Sequence, residues 1–151
     1  MGILRNILQR LFRPDPEPEP EPDDVPEPID EDMVSMHNSA RRVQNLPPLH
    51  VHAQLQAAAQ NHADWMAKHQ KLSHDANSGF QARIVNAGYT SRTAGENIAQ
   101  APTAPATFNM WMDSRGHRQN ILGPYKDFGV ASCRNQQGQI YWCAVFAAPQ
   151  S

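Results

Sequence analysis

The residues of this sequence whose side chains could do chemistry are few and lie in loop-like stretches. His74 follows a predicted helix, Glu96 follows Gly95 in GEN, and His117 lies in SRGHRQN. Glu96 is the only glutamate in 33–151, which suggests a carboxylate placed for a purpose. Two imidazoles and a carboxylate suit Zn²⁺ or a similar divalent cation, and three protein ligands leave one coordination position open. Without a metal the same groups could transfer protons, because histidine titrates near neutral pH.

Ser114, three residues before His117, allows two interpretations. Its hydroxyl could act as a nucleophile beside the histidine, but serine is also a preferred N-cap for a helix around 115–122. Asp113 could contribute a carboxylate if its side chain turned inward, and Gly116 would leave room beside the imidazole. The alternative to any functional site is a hydrogen-bonded polar network that fixes three loops.

Sequence periodicity predicts the elements that must position these residues. Helices are expected over about 30–43, 52–70, 79–88, 103–112 and 115–122, with capping residues or Gly and Pro at their ends. His62 lies on the apolar stripe of the second helix and is expected to be a hydrogen-bonded core histidine. Residues 95–99 are expected to form a loop entering a strand, and FGVASC, NQQG and QIYWCAVFA to form a terminal hairpin. Helices with one antiparallel sheet predict an α+β or a layered α/β/α domain.

The N-terminal residues differ in composition from the rest of the chain. Residues 1–13 predict a short basic amphipathic helix suited to a membrane surface or a docking partner. Residues 14–29 are acidic and proline-rich and predict an extended spacer. The folded domain, predicted over 30–151, is basic, because residues 33–151 hold ten Lys and Arg against five Asp and Glu. These charges are scattered with few flanking aromatics, so no nucleic-acid partner is expected.

The two cysteines, Cys133 and Cys143, leave their redox state open. They lack a C-x-x-C spacing and are too few for a disulfide framework. With the turn centred on Gln136 and Gln137, Cys133 would face residue 140, so a disulfide would need a bulge near Gly138.

Eight stretches, taken in order, resemble a known superfamily. They are HNSAR (37–41), LPPL (46–49), LSH (72–74), AGY (87–89), GENIAQ (95–100), WMDSRGHRQNIL (111–122), FGVA (128–131) and IYWCAVFA (140–147). In this order and spacing, the chain from Met33 to Phe146 is similar to the CAP superfamily of SCP-like domains, and especially to its bacterial members. The resemblance implies a three-layer α/β/α sandwich with a small, mainly antiparallel sheet.

The resemblance also implies an open cleft with two histidines and two acids. Carried over by position, the histidines are His74 and His117 and the first acid is Glu96. The second acid, where many animal and plant members have W-Y-x-E, falls at Ser114 in this sequence. This departure is typical of the bacterial branch and weakens a four-ligand metal site.

The resemblance leads us to expect a binding module with a lipid or small hydrophobic ligand in the cleft. A divalent metal such as Zn²⁺ could be held there by His74, Glu96 and His117. Two alternatives stay open: a metal-dependent hydrolase or peptidase that uses the same residues, and a non-catalytic surface module tethered by residues 1–13. Relatives are mostly secreted, yet residues 1–13 do not have the pattern of a cleavable signal, so localisation stays open.

Overall fold

A four-stranded sheet lies between two layers of helices in the computed structural model, which describes residues 29–151. The helix predicted over 1–13 and nearly all of the spacer predicted over 14–29 lie outside the described residues. The helices are α1 (Glu31–Val43), α2 (Ala53–His69), α3 (Phe80–Asn86), α4 (Ala104–Asp113) and α5 (Arg115–Ile121). The strands are β1 (His50–Val51), β2 (Ser91–Gln100), β3 (Asp127–Arg134) and β4 (Ile140–Pro149).

The strand order is β1-β3-β4-β2, with β1 parallel to β3 and the other pairs antiparallel. The predicted three-layer sandwich with a mainly antiparallel sheet is therefore confirmed. No helix within residues 29–151 is long and apolar enough to cross a bilayer.

The central strand β4 is buried on both faces, because a layer of helices covers each face of the sheet. Trp142 and Phe146 point to one side, where they pack in a core with residues of α1, α4 and α5. Tyr141, Cys143 and Val145 point to the other side, where they pack with α2 and α3. Successive side chains of a strand alternate between faces, so an unbroken apolar run is what a doubly covered strand needs.

Helix α2 lies unusually close to the sheet. A Cβ atom at Gly129 of β3 would overlap backbone atoms of Leu55 and Gln56, so glycine is required there for space. The Gln56 side chain also bonds the backbone of Val130, accepting from its N–H at 2.9 Å and donating to its carbonyl at 2.8 Å. The small alanines of α2 allow this approach, which fixes the helix on the sheet.

Helix α1 is fixed at both ends. Asp30 caps its start by accepting from the N–H of Met33 at 2.9 Å, as expected for an acidic N-cap. Near its end, the buried guanidinium of Arg41 donates to four backbone carbonyls, those of Pro47, Ile121, Gly123 and Tyr125. The carbonyls at the end of α5 thereby gain partners that the helix cannot supply.

Two predictions about the strands are wrong. The triplet from Gly95 to Asn97 lies inside β2 and not in a loop, because the polar stretch before it pairs with the last residues of β4. In the terminal hairpin, Cys133 lies opposite Tyr141 and not residue 140. The turn is one residue longer than expected.

The side chain of Asn135 organises this turn. Its Oδ1 accepts from the backbone N–H groups of Gln137 and Gln139, and Gly138 adopts a positive φ of 80°. No disulfide joins the two cysteines: Cys143 lies opposite Ala131, two residue pairs along the ladder from Cys133 and Tyr141.

His37 of α1 is a fully buried histidine. Its Nδ1–H donates to the carbonyl of Met33 at 2.7 Å, and its buried Nε2 has no hydrogen-bond partner within residues 29–151. Burial lowers the pKa of His37 to about 4, while the bond to Met33 opposes the shift and Arg41 adds to it. The ring is surrounded by the aromatic side chains of Phe108, Trp111, Phe128 and Phe146.

We expect the free energy of unfolding to fall as the pH drops from about 6.5 to 4. In this range the unfolded chain protonates His37 and the folded protein does not, because the folded-state pKa is about 4 against an ordinary 6.5. The full contribution, present above pH 6.5, is about 3 kcal/mol. Burial also lowers the pKa of His62 and His117, so both contribute in the same direction.

Urea denaturation at a series of pH values measures this dependence. His37→Leu should flatten the curve between pH 4 and 6.5, whatever it does to stability at pH 7. His50→Gln, at an exposed position of β1, is the matched control for the loss of one histidine. A His37→Leu curve parallel to the wild-type curve would contradict the assignment.

Candidate functional site

The predicted site residues meet at the edge of the sheet formed by β2. Successive side chains of this strand point to opposite faces. Glu96 points toward α3 and the loop after α2, whereas Gly95 and Asn97 point toward α5. His74 thus approaches the edge from one helical layer and His117 from the other.

Glu96 is a buried carboxylate with three donors around it. Its Oε1 accepts from Nδ1 of His74 at 2.9 Å, and its Oε2 accepts from Nη2 of Arg83 at 2.6 Å. The Sγ atom of Cys143 lies 3.6 Å from Oε2. Burial raises the pKa of Cys143 well above its usual range, and the neighbouring Glu96 raises it further, so the thiol stays protonated and can donate. The Glu96 side chain is 1% exposed, and both of its oxygens face protein donors.

His74 lies in the loop between α2 and α3, and its side chain is 47% exposed. Because a carboxylate can only accept, the bond to Glu96 places the proton of the neutral ring on Nδ1. The lone pair of Nε2 is then available to an external partner. Metal-binding histidines in proteins are usually oriented by this kind of bond from the second ring nitrogen to a carboxylate.

Arg83 of α3 is a functional residue that the sequence did not single out. Its guanidinium joins Glu96 to the loop that carries His74, with bonds to the carbonyls of His74, Ala76 and Asn77. The side chain is 4% exposed. No motif marks this arginine, because three of its four acceptors are backbone carbonyls.

The backbone of His117 is held by the side chain of Asn97, which is itself held by Asn120. Asn97 donates to the backbone carbonyl of His117 at 3.0 Å, and Asn120 donates to Oδ1 of Asn97 at 2.8 Å. Burial lowers the pKa of His117, and the nearby His74 lowers it further. Its Nδ1 is buried and has no hydrogen-bond partner in the described part of the chain. A neutral imidazole in this position can accept a proton or a metal ion.

The triplet GEN therefore has a separate role for each residue. A Cβ atom at Gly95 would lie 2.5 Å from Oδ1 of Asn120 and 2.9 Å from the hydroxyl of Tyr125, so glycine lets these two side chains keep their positions. Its φ is not positive, and backbone freedom is not the reason. Glu96 then serves the His74 side of the strand and Asn97 serves the His117 side.

The other predicted residues are less involved. Ser114 is the N-cap residue of α5, but its hydroxyl makes no capping hydrogen bond. Asp113 is exposed at the end of α4. A Cβ atom at Gly116 would meet no atom within 4 Å, so packing against the protein does not require that glycine. His62 is buried and bonds the carbonyl of Ser73 at 2.7 Å, as predicted for a core histidine.

The three expected metal ligands do not form a three-ligand set as placed. Within residues 29–151 no three His, Cys, Asp or Glu side chains are arranged to hold a metal ion together. The reason is visible at Glu96, whose oxygens are directed at His74 and Arg83. The two histidines fit the role of ligands better than Glu96 does, and Glu96 fits the role of orienting His74.

Comparison with known proteins places this geometry in context. A family model described as the cysteine-rich secretory protein family, CAP, matches residues 34–146. The protein YkwD of Bacillus subtilis is 33% identical over 96 residues, which cover 61% of this chain and 37% of YkwD. The chain thus spans well under half the length of this curated relative.

Solved structures with the same fold come from several bacteria. An SCP-domain extracellular protein of Bacillus anthracis is 25% identical with a TM-score of 0.72, covering 78% of this chain and 39% of that protein. An outer surface protein of Borrelia burgdorferi is 16% identical with a TM-score of 0.75, covering 80% of this chain and 92% of that protein. The second likeness shows the fold alone.

The close approach at Gly95 can be tested by comparing an alanine substitution there with one at Gly116, where the space is open. Gly95→Ala should lower the free energy of unfolding by about 1–3 kcal/mol, because the added Cβ forces Asn120 and Tyr125 away from the strand. Gly116→Ala, with open space and a helical backbone, should be neutral or stabilising by up to about 1 kcal/mol. Urea denaturation measures both, and equal effects would contradict the assigned close approach at β2.

Proposed function

The chain belongs to the cysteine-rich secretory protein (CAP) family, and from this membership we propose that it is a binding module. Its cleft at the β2 edge takes a divalent cation such as Zn²⁺ through His74 and His117. In this proposal Glu96 is not a ligand and orients His74 from behind. The cation leaves coordination positions open for an oxygen or nitrogen atom of a further ligand.

The observation that carries the proposal is the 2.9 Å bond between Nδ1 of His74 and Glu96. In the neutral ring this bond places the proton on Nδ1 and leaves the lone pair of Nε2 free, on a side chain that is 47% exposed. A histidine with a purely structural role would more often use its second nitrogen inside the protein, as His62 uses Nε2 on Ser73.

His117 supplies the second donor. Its pKa is lowered by burial and by His74, which keeps the ring neutral near pH 7, and metal binding requires neutral imidazole. Two histidines that approach one edge from opposite layers suit a cation better than two isolated core histidines would. The relative NaASP2, 14% identical with a TM-score of 0.57, was solved with Zn²⁺, which is a property of that protein and a reason to test zinc first.

Two other expectations stay predictions. A lipid or small hydrophobic ligand is implied by the resemblance. The membrane-surface contact through residues 1–13 concerns residues outside the described range. A hydrolase would need an activated water and a base in the cleft, and Glu96 is engaged by His74 and Arg83. We therefore propose binding as the function.

Zinc should stabilise the untagged, chelator-treated protein. At a free Zn²⁺ concentration of 100 times the Kd, the gain is about 2.7 kcal/mol and should appear as a higher melting temperature. His74→Ala and His117→Ala should each abolish the rise, because each removes a proposed ligand. Glu96→Gln should weaken zinc binding about 10–100-fold, which is typical for loss of a carboxylate behind a metal-binding histidine.

Calorimetric titration and thermal denaturation provide the two readouts. His50→Gln removes an exposed imidazole remote in sequence from the cleft and should bind zinc as the wild type does. If the wild type shows no shift with Zn²⁺, Mg²⁺ or Ca²⁺, the cation-binding proposal is wrong. If His50→Gln loses binding as fully as His117→Ala does, the site has been misplaced.

A further inference from the structure

We propose that Arg83 is the positioning residue of the cleft, an internal cation to which both Glu96 and the loop carrying His74 are bound. The inference deepens the proposed function and rests on it for its consequence in ligand binding. Its structural part concerns the orientation of the His74 ring and can be decided without any metal.

Four acceptors converge on the guanidinium. Nη1 donates to the carbonyls of Ala76 at 2.6 Å and Asn77 at 3.3 Å. Nη2 donates to Oε2 of Glu96 at 2.6 Å and to the carbonyl of His74 at 3.4 Å. One side chain therefore holds His74 twice, directly through its backbone carbonyl and indirectly through the carboxylate that bonds its ring.

The loop depends on this cation because its own conformation is unfavourable. Asn77, Ser78 and Gly79 have successive φ values of 54°, 74° and 82°. A positive φ is costly for residues other than glycine and persists only where the surroundings enforce it. The carbonyls of Ala76 and Asn77 accept from Arg83, and without the guanidinium they would lose a charged donor that favours this conformation.

The chemistry of the site requires arginine and not merely a positive charge. A guanidinium is planar and presents five N–H donors in a fixed fork, whereas an ammonium group is a compact charge with three donors. A lysine at position 83 could meet Glu96 or the carbonyls of Ala76 and Asn77, but not all of them. Charge alone should therefore restore little of the ring orientation.

The chain offers a matched control in Arg41. It too is a buried arginine whose guanidinium donates to several backbone carbonyls, but in the layer of α1 and α5. Arg41→Lys should destabilise the protein because it removes hydrogen bonds to backbone carbonyls, as Arg83→Lys does. It should not change the tautomer of the His74 ring. Any difference between the two variants at His74 is then specific to Arg83.

Nitrogen-15 NMR of the histidine rings in the full, metal-free chain at pH 8 provides the test. In the wild type, His74 should be almost entirely the Nδ1–H tautomer. In Arg83→Lys and Arg83→Ala it should become a mixture of the two tautomers, with zinc binding weakened about 10–100-fold. In Arg41→Lys the His74 tautomer should match the wild type.

Chemical rescue adds a readout that general destabilisation cannot imitate. Arg83 also lines a surface groove of about 360 Å³ between α2 and α3, through which a small cation can reach its position. Millimolar guanidinium should return His74 of Arg83→Ala toward the Nδ1–H tautomer, whereas the same concentration of urea or sodium should not. If Arg83→Ala does not fold, Arg83→Lys against Arg41→Lys decides the question.

An unchanged His74 tautomer in Arg83→Lys, or an equal change in Arg41→Lys, would overturn the inference. Absence of zinc binding in the wild type would instead refute the proposed function, while the tautomer comparison would still decide the role of Arg83. A change in tautomer with zinc affinity unaltered would show that Arg83 positions His74 but that the cation does not use its ring.

Discussion

The buried charge of Glu96 is the constraint on which the site at the β2 edge depends. Removing a carboxylate from water costs several kcal/mol, and a buried ion pair compensates only when its geometry is close to ideal and its remaining lone pairs are bonded. Here Arg83, His74 and the Cys143 thiol meet that requirement together. They come from a helix, a loop and the central strand, so Glu96 reaches its stable state only when all three are in place. The position of Glu96 is thereby coupled to folding of the layer behind it.

The spacing of the layers follows from two glycines. At Gly129 the backbone of α2 lies directly on β3, and at Gly95 the side chains of Asn120 and Tyr125 lie directly on β2. The contact at Gly129 joins two backbones, so a change of rotamer cannot relax it, whereas the contact at Gly95 is made by the ends of two side chains. Close-packed interiors transmit rather than absorb displacement. His74 follows the end of α2 and His117 lies on α5, so each histidine inherits its position relative to the sheet from one of these contacts.

The sequence predicted the helices well, because caps and apolar periodicity are local signals, as at Asp30 for α1. It failed at the start of β2, where an edge strand with polar residues lacks the alternation that marks a strand. Glu96 was found because it is the only glutamate in 33–151, and its placement in one site with His74 and His117 followed from the family resemblance. Arg83 and Asn97 were missed because each acts on backbone carbonyls, which side-chain patterns do not encode. The role of Gly95 depends on residues 25 and 30 positions further along the chain, Asn120 and Tyr125, and no local signal carries it.

The position of the proposed site at an open sheet edge has a thermodynamic consequence. His74 and His117 belong to opposite helical layers, and within residues 29–151 β2 pairs on one side only. A ligand bound by both histidines would act as a clamp between the layers, and its affinity would include the free energy of holding them at one separation. Because the coupling is reciprocal, a change in packing far from the site would change the affinity for the ligand. Bound ligand would in turn stabilise the packing of the core. A substitution beneath α2, out of reach of any ligand, would then change binding without touching the site.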